Sequence, residues 1–108
     1  NIDINLLDDI IKKVLSERKL QLTDRSQKKI MYDIAIAIQR SRNNKTVVYP
    51  SSLTSKNRES FEYSVAKEII ENIYNQLNID LSCSEVYYIT QCLLASKKVD
   101  DVSESTNK

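Results

Sequence analysis

The stretch KKIMYDIAIAIQR, residues 28–40, is the densest apolar run in a chain that contains no glycine and a single proline. If each residue advances 100° around a helix axis, five apolar side chains fall on or beside one stripe. They are Ile30, Met31, Ile34, Ala37 and Ile38. This spacing does not fit an alternating strand, so the stretch predicts a helix that presents one face to a core.

A second face of the same predicted helix has a mixed character. Ile36 points away from the apolar stripe, and Lys29, Asp33 and Arg40 lie beside it at helical spacing. The simpler interpretation is a solvated flank with Ile36 as a core residue at a poor angle, because exposed ion pairs are common and contribute little. The functional interpretation is that Ile36 and its charged surroundings form an interface.

Composition excludes several classes of protein. The chain has 108 residues, which suits a single domain, and its 16 basic and 15 acidic residues leave a net charge of +1. It has no histidine, and it lacks the glycines on which phosphate-binding loops and nucleophile elbows depend. No apolar run reaches the roughly 20 residues that a membrane span needs. We therefore expect a soluble cytoplasmic domain that is not an enzyme and that uses no cofactor.

The two cysteines, Cys83 and Cys92, are nine residues apart. In one helix this spacing separates them by roughly 13.5 Å of rise, too far for a disulfide, so both should be free thiols. Without histidine or a second cysteine pair, a structural zinc site is excluded and no metal is expected. We interpret Cys92, which lies off the predicted core stripe, as a small apolar residue and not as a catalytic nucleophile.

Hydrophobic periodicity predicts four long helices, at about residues 3–18, 24–42, 58–77 and 83–98. Between the second and the third helix the period is lost around the only proline, and we expect one short helix at about residues 52–56. The sequence therefore predicts an all-α fold, a compact bundle of five helices, four long and one short.

Polar residues mark the ends of these helices. Thr23 and Asp24 are good N-cap residues for the second helix, and Ser82 with Glu85 forms a capping box that opens the last one. Residues 99–108, VDDVSESTNK, are polar and acidic, so we interpret them as a linker or disordered tail that follows a folded domain of residues 1–98.

Seven cations cluster between residues 12 and 29. No aromatic side chain is interleaved with them, and the same predicted helices carry apolar stripes. A solvated surface is therefore favoured over a nucleic-acid contact, since a binding helix would combine basic with stacking residues.

Two ordered segments, LTDRSQKKIMYDIAIAIQR and FEYSVAKEIIENIYNQLNIDLSCSEVYYITQCLLASKK, resemble the PTS regulation domain (PRD) of bacterial sugar-operon regulators. The family keeps an I-A-I-A-I-x-R helix, an E-Y-x-x-A-x-x-I helix and an E-x-x-Y-I-x-x-H-L-L helix at these spacings. The resemblance runs from about Leu6 to Lys98. It implies a dimerising five-helix bundle placed between a nucleic-acid-binding module and other regulatory domains.

The resemblance also implies two phosphorylated histidines, and this chain departs from the pattern at both. The first histidine falls on Asp33 and the second on Cys92, whereas Arg40 matches the arginine of the family. Because a phosphoryl group adds between one and two negative charges, losing both acceptors would remove the switch by which these bundles repack.

We therefore expect a regulatory domain of a transcriptional regulator or antiterminator that dimerises and relays a signal without being phosphorylated. Its partners would be a second copy, neighbouring domains of the same regulator and components of the phosphotransferase system (PTS), namely its phosphocarrier protein or enzymes II. Lys29, Ile36 and Arg40 would support or form the interface. The alternative is a helical adaptor unrelated to sugar transport, in which the resemblance reflects only bundle packing.

Overall fold

The computed structural model describes residues 2–45, 49 and 57–106, with side chains of the last helix described as far as residue 98. This part of the chain forms four helices: α1 (Ile4–Glu17), α2 (Asp24–Arg42), α3 (Phe61–Leu77) and α4 (Cys83–Thr106). The predicted all-α fold is confirmed. The short helix predicted at residues 52–56 lies outside the described residues.

Side-chain caps define where three of the helices begin. Asp3, Thr23 and Ser60 each accept a hydrogen bond at 3.1 Å from the backbone N–H three residues further on. Each cap satisfies one of the N–H groups that the first helical turn leaves unpaired. The start of α2 is thus confirmed, whereas α3 begins at Phe61 and not near residue 58, because Ser60 occupies the cap.

Asparagine ends two of the helices in place of glycine. Asn44, just beyond α2, and Asn78, the C-cap of α3, have φ angles of 57° and 56°. This left-handed region disfavours most side chains, but asparagine enters it readily because its short polar side chain bonds locally. Both helices end where the predicted bounds, 24–42 and 58–77, place their last residues.

The four helices pack as a ring. α1 and α4 each contact both α2 and α3, so α2 and α3 lie at opposite corners of the bundle. Their inward faces form one core, and its most deeply buried members are Leu7, Ile10, Ile11, Val14, Ile30, Ile34, Ile38, Val65, Ala66, Ile69, Ile73, Ile89 and Leu93. The apolar stripe of residues 28–40 is therefore confirmed as the core face of α2.

Two large apolar residues at helix starts lie outside the core. Ile4 and Phe61 begin their helices and are 41% and 45% exposed. The first residue of a helix has no preceding helical turn beside it, so a periodic pattern overstates its burial. Phe61 instead packs under the guanidinium of Arg18, whose Cζ atom lies 5.3 Å from the ring centre.

The last helix is longer than predicted. We expected α4 to end near Lys98, but it continues to Thr106. Valine, aspartate and serine after Lys98 are weak helix formers, yet no proline or glycine interrupts them, so the established helix can propagate. The assignment of residues 99–108 as a linker or tail stays a prediction. Within the described ranges, no helix is long and apolar enough to cross a membrane.

Candidate functional site

Two residues of the predicted second face of α2, Asp33 and Arg40, lie along the contact of α2 with α4. Lys29 and Asp33 are one turn apart, and the Lys29 Nζ atom donates to the Asp33 Oδ2 atom at 2.8 Å. The Asp33 side chain is only 13% exposed, whereas that of Lys29 is 66% exposed. This hydrogen bond is the main cause that raises the pKa of Lys29. The pair therefore places a fixed carboxylate at the edge of the contact between the two helices.

The side chain of Arg40 on α2 reaches the first turn of α4 and forms a bidentate ion pair with Glu85. Its Nε atom donates to Oε2 at 3.0 Å and its Nη2 atom donates to Oε1 at 2.6 Å. The Glu85 side chain is fully buried and that of Arg40 is 19% exposed. This hydrogen bonding to Glu85 is the main reason why the pKa of Arg40 is raised. Two parallel bonds to a buried carboxylate fix the register of α2 against α4.

The predicted capping box at the start of α4 is therefore incomplete. Glu85 was expected to reach back toward the backbone of Ser82. Its two carboxylate oxygens accept from Arg40 instead, because a fully buried carboxylate needs a cationic partner more than a backbone N–H. Ser82 still contributes its carbonyl, which accepts from the Glu85 backbone N–H at 3.0 Å.

Tyr88 on α4 packs against the guanidinium group of Arg40. The Arg40 Cζ atom lies 4.6 Å from the Tyr88 ring centre, a cation–π contact. Burial raises the pKa of Tyr88 to about 12, and the neighbouring Cys92 adds to the shift. The Tyr88 hydroxyl is therefore protonated, so it can donate a hydrogen bond.

Cys92 lies one turn beyond Tyr88 and faces Asp33 across the helix contact. Its thiol interacts electrostatically with the Asp33 carboxylate and with the Tyr88 hydroxyl. Burial first, and then the negative charge of Asp33, raise the pKa of Cys92 to about 12. Two residues 59 positions apart in the sequence (92 − 33) thus meet at one site. We call this set, Asp33, Arg40, Glu85, Tyr88 and Cys92, the α2–α4 cluster.

Ile36 lies outside this cluster, on the solvent side of α2. It is 52% exposed, and Tyr32 one turn earlier is 54% exposed. The interpretation of Ile36 as a core residue is therefore wrong. Nor do Asp33 and Arg40 form a solvated flank with it, because both lean toward α4. The role of Ile36 in an interface stays a prediction.

A family model described as the PRD domain matches residues 8–96, which is most of the chain. The chain belongs to this family. No match was found among the curated proteins or among the solved structures. PRDs are regulatory and not catalytic domains, and they occur in sugar-operon regulators and antiterminators.

Sequence reasoning missed two members of the cluster in this PRD. From the sequence, Glu85 is predicted only as a capping residue, and Tyr88 is assigned no role. The signal was present, because Glu85, Tyr88 and Cys92 are spaced by three and four residues and so share one helix face. Pairing that face with the one that carries Asp33 and Arg40 required the packing of α2 on α4.

The two thiols of this PRD should differ strongly in reactivity. Cys83 is exposed, whereas Cys92 is partly buried with a thiol pKa of about 12. Since the thiolate is the reacting form, we expect Cys92 to react with an aromatic disulfide reagent at pH 8 roughly a hundredfold or more slowly than Cys83. A stopped-flow absorbance trace of the folded protein should show one fast and one very slow thiol.

Two variants assign the phases. Cys83→Ser should remove the fast phase and leave the slow one, and unfolding in guanidinium should make the two thiols comparable. Equal rates in the folded protein would contradict the placement of Cys92 in the α2–α4 cluster.

Proposed function

We propose that this PRD is a regulatory domain of a bacterial transcriptional regulator or antiterminator that controls a sugar phosphotransferase operon. We further propose that it acts as a dimerisation and relay module that is silent to phosphorylation. The observation that carries the proposal is the meeting of Asp33 and Cys92 in the α2–α4 cluster. These are the two positions at which the family resemblance places its histidines.

The chemistry of Asp33 and Cys92 supports the proposal that neither side chain is phosphorylated. A phosphohistidine requires an imidazole nitrogen, and the chain contains no histidine. Asp33 is engaged by Lys29 at 2.8 Å. The Cys92 thiol is held protonated by its raised pKa, so little of the nucleophilic thiolate exists near neutral pH. Transfer of a phosphoryl group to Cys92 as a thiophosphate is therefore disfavoured.

Asp33 offers a reason for keeping the site. Its carboxylate sets a permanent negative charge beside α4, in the place where a family member would gain negative charge only when phosphorylated. We propose that this charge biases the packing of the domain toward one regulatory state. Asp33→Asn removes the charge with little change in shape, so it should alter the output of a reporter gene driven by the full-length regulator.

The remaining parts of the proposal concern partners and place. The exposed pair Tyr32 and Ile36 supports an interface with a second copy or with neighbouring domains, because apolar side chains at helical spacing favour burial. Components of the PTS, its phosphocarrier protein or enzymes II, are proposed as transient partners, and we propose no direct nucleic-acid contact. A cytoplasmic location stays a prediction. Membership of the PRD family counts against an unrelated helical adaptor.

Phosphotransfer measures the proposed silence directly. Incubated with the phosphorylated proteins of a PTS, a full-length regulator that contains this domain should incorporate no label into the segment of residues 1–98. The expected label is below about 1% of that on a phosphorylatable histidine domain, since the two acceptor nitrogens are missing. Proteolysis followed by mass spectrometry locates any phosphate.

The matched variants are Asp33→His and Cys92→Ser. Asp33→His restores one acceptor and should gain label if the partner still docks, which shows that the assay can detect transfer. Label on the unchanged segment that disappears in Cys92→Ser would refute silence and would assign a thiophosphate.

Self-association is the second measurable part of the proposal. If Ile36 lies at a dimer interface, Ile36→Asp should weaken the dimer about tenfold or more, because it places a charge in a desolvated surface. Sedimentation velocity over a range of concentrations measures the change. The matched control is Tyr74→Asp on α3, the opposite corner of the bundle, which replaces an equally exposed side chain, 53% against 52%. An unchanged dimer in Ile36→Asp would remove Ile36 from the interface.

A further inference from the structure

A cavity opens beside the α2–α4 cluster, between the first turns of α2 and the turn of α4 that follows Cys92. Its lining residues are Arg25, Ser26, Lys29, Ala95 and Ser96. Its volume is about 420 Å³, within the range of small-molecule sites. Neither the predicted core nor the α2–α4 cluster accounts for it.

Ser96 contributes a hydroxyl group to the α4 side of the cavity. It is 4% exposed, it lines the cavity, and its hydroxyl has no hydrogen-bond partner among the residues that the structure describes. Thr90, also buried in α4, shows the ordinary arrangement, because its hydroxyl donates to the Val86 carbonyl oxygen four residues earlier at 2.7 Å. Among the described residues, the hydroxyl that is wholly buried and unpaired is that of Ser41, whereas the Ser96 hydroxyl is open to the cavity and can donate to a group bound there.

The charges around the cavity specify which kind of group that is. Arg25 and Lys29 lie one turn apart on α2 and both line it. Arg25 is exposed and forms no ion pair in the described part of the chain. Lys29 is shared with Asp33, but its ammonium has three donors and is largely exposed. Two cations beside a hydroxyl donor favour an oxyanion.

Among the described side chains, two nearby carboxylates reduce this attraction. Asp33 already accepts from Lys29, and Asp24 in the first turn of α2 interacts with Lys12 of α1. The N-terminus of α2 adds a partial positive charge, which Asp24 offsets in part. The expected affinity is therefore modest.

We propose that this cavity binds a phosphate group, with Arg25 and Lys29 as the cationic donors and Ser96 as the hydroxyl donor. The group is inorganic phosphate or the phosphate of a small ester, which the same donors would hold. Lys29 connects the cavity with Asp33, so an occupant would share a cation with the α2–α4 cluster. This inference stands independently of the proposed silence to phosphorylation.

A titration followed by amide chemical shifts tests the proposal on the uniformly ¹⁵N-labelled chain. Inorganic phosphate, added at constant ionic strength with chloride as the compensating ion, should move the amide signals of Ser26, Lys29, Ala95 and Ser96 along a saturable curve. The dissociation constant should be on the order of 1–10 mM. Methyl phosphate in a parallel titration separates the two sources: tighter binding than that of inorganic phosphate assigns an ester, and weaker binding assigns the free ion.

Three variants complete the test. Arg25→Gln should weaken binding about tenfold, as the loss of a charge-assisted hydrogen bond does, and Ser96→Ala about threefold. Arg42→Gln is the matched control, since Arg42 is an exposed arginine on α2 that does not line the cavity, and it should leave the affinity unchanged. Shifts that never saturate, or equal weakening by Arg42→Gln and Arg25→Gln, would overturn the proposal.

Discussion

Arg40→Met should lower the free energy of unfolding by about 3–5 kcal/mol, the usual cost of leaving a buried charge without its partner. The Glu85 carboxylate is fully buried, and Arg40 satisfies both of its oxygens. Methionine fills most of the space of the arginine stem but offers no donor. Urea unfolding followed by circular dichroism measures the difference. An unchanged slope of the unfolding free energy against urea concentration indicates that the native and unfolded states keep their compactness.

The double variant distinguishes the value of the pair from the cost of an orphaned charge. Arg40→Met with Glu85→Leu removes both charges and should recover most of the lost stability, because an apolar pair of similar volume is often as stable as a buried ion pair. Lys29→Met is the matched control for an exposed pair on the same helix and should cost less than about 1 kcal/mol. If Arg40→Met costs no more than Lys29→Met, the Arg40–Glu85 pair does not hold α2 against α4.

Ile34→Ala should cost about 2–5 kcal/mol of unfolding free energy, whereas Ile36→Ala should cost less than about 0.5 kcal/mol. The two isoleucines are two residues apart in the run IAIAI. Ile34 has no exposed surface and lies in the central core, while Ile36 is half exposed. The first truncation therefore leaves a cavity among close-packed side chains, and the second only removes a methyl-bearing surface group.

The same urea experiment compares the two variants at a protein concentration low enough to keep the chain monomeric. This condition matters because an interface through Ile36 would otherwise add to the cost of Ile36→Ala by mass action. Similar losses for both variants at high dilution would contradict the orientation of α2 described above.

The α2–α4 cluster joins these stability effects to the proposed function. Arg40 and Glu85 fix the two helices together at one end of their contact, while Asp33 and Cys92 meet further along it. The Arg40–Glu85 ion pair therefore already sets the register of α2 against α4 at the contact where the charge of Asp33 would change. We expect regulatory variants at Asp33 to alter packing along α2 and α4 without unfolding the bundle.

Local sequence patterns were sufficient to predict the fold class, the bounds and core face of α2, and the end of α3. These features depend on local spacing, since a helix repeats every 3.6 residues and brings an apolar stripe to one side wherever the rest of the chain lies. The ordered motifs were also sufficient to indicate the family. The extension of α4 to Thr106 was not predicted, because residues 99–106 are weak helix formers but contain no signal that would end a helix.

The grouping of the residues off the core stripe depends instead on how α2 packs against α4. Lys29, Asp33, Ile36 and Arg40 share one flank in any helical projection, yet Arg40 turns inward to a buried carboxylate and Ile36 stays in solvent. The difference arises because α4 covers one edge of that flank and leaves the other edge open. Glu85 and Cys92, the partners of Arg40 and Asp33, lie about half the chain away in sequence, so no local pattern could predict these contacts.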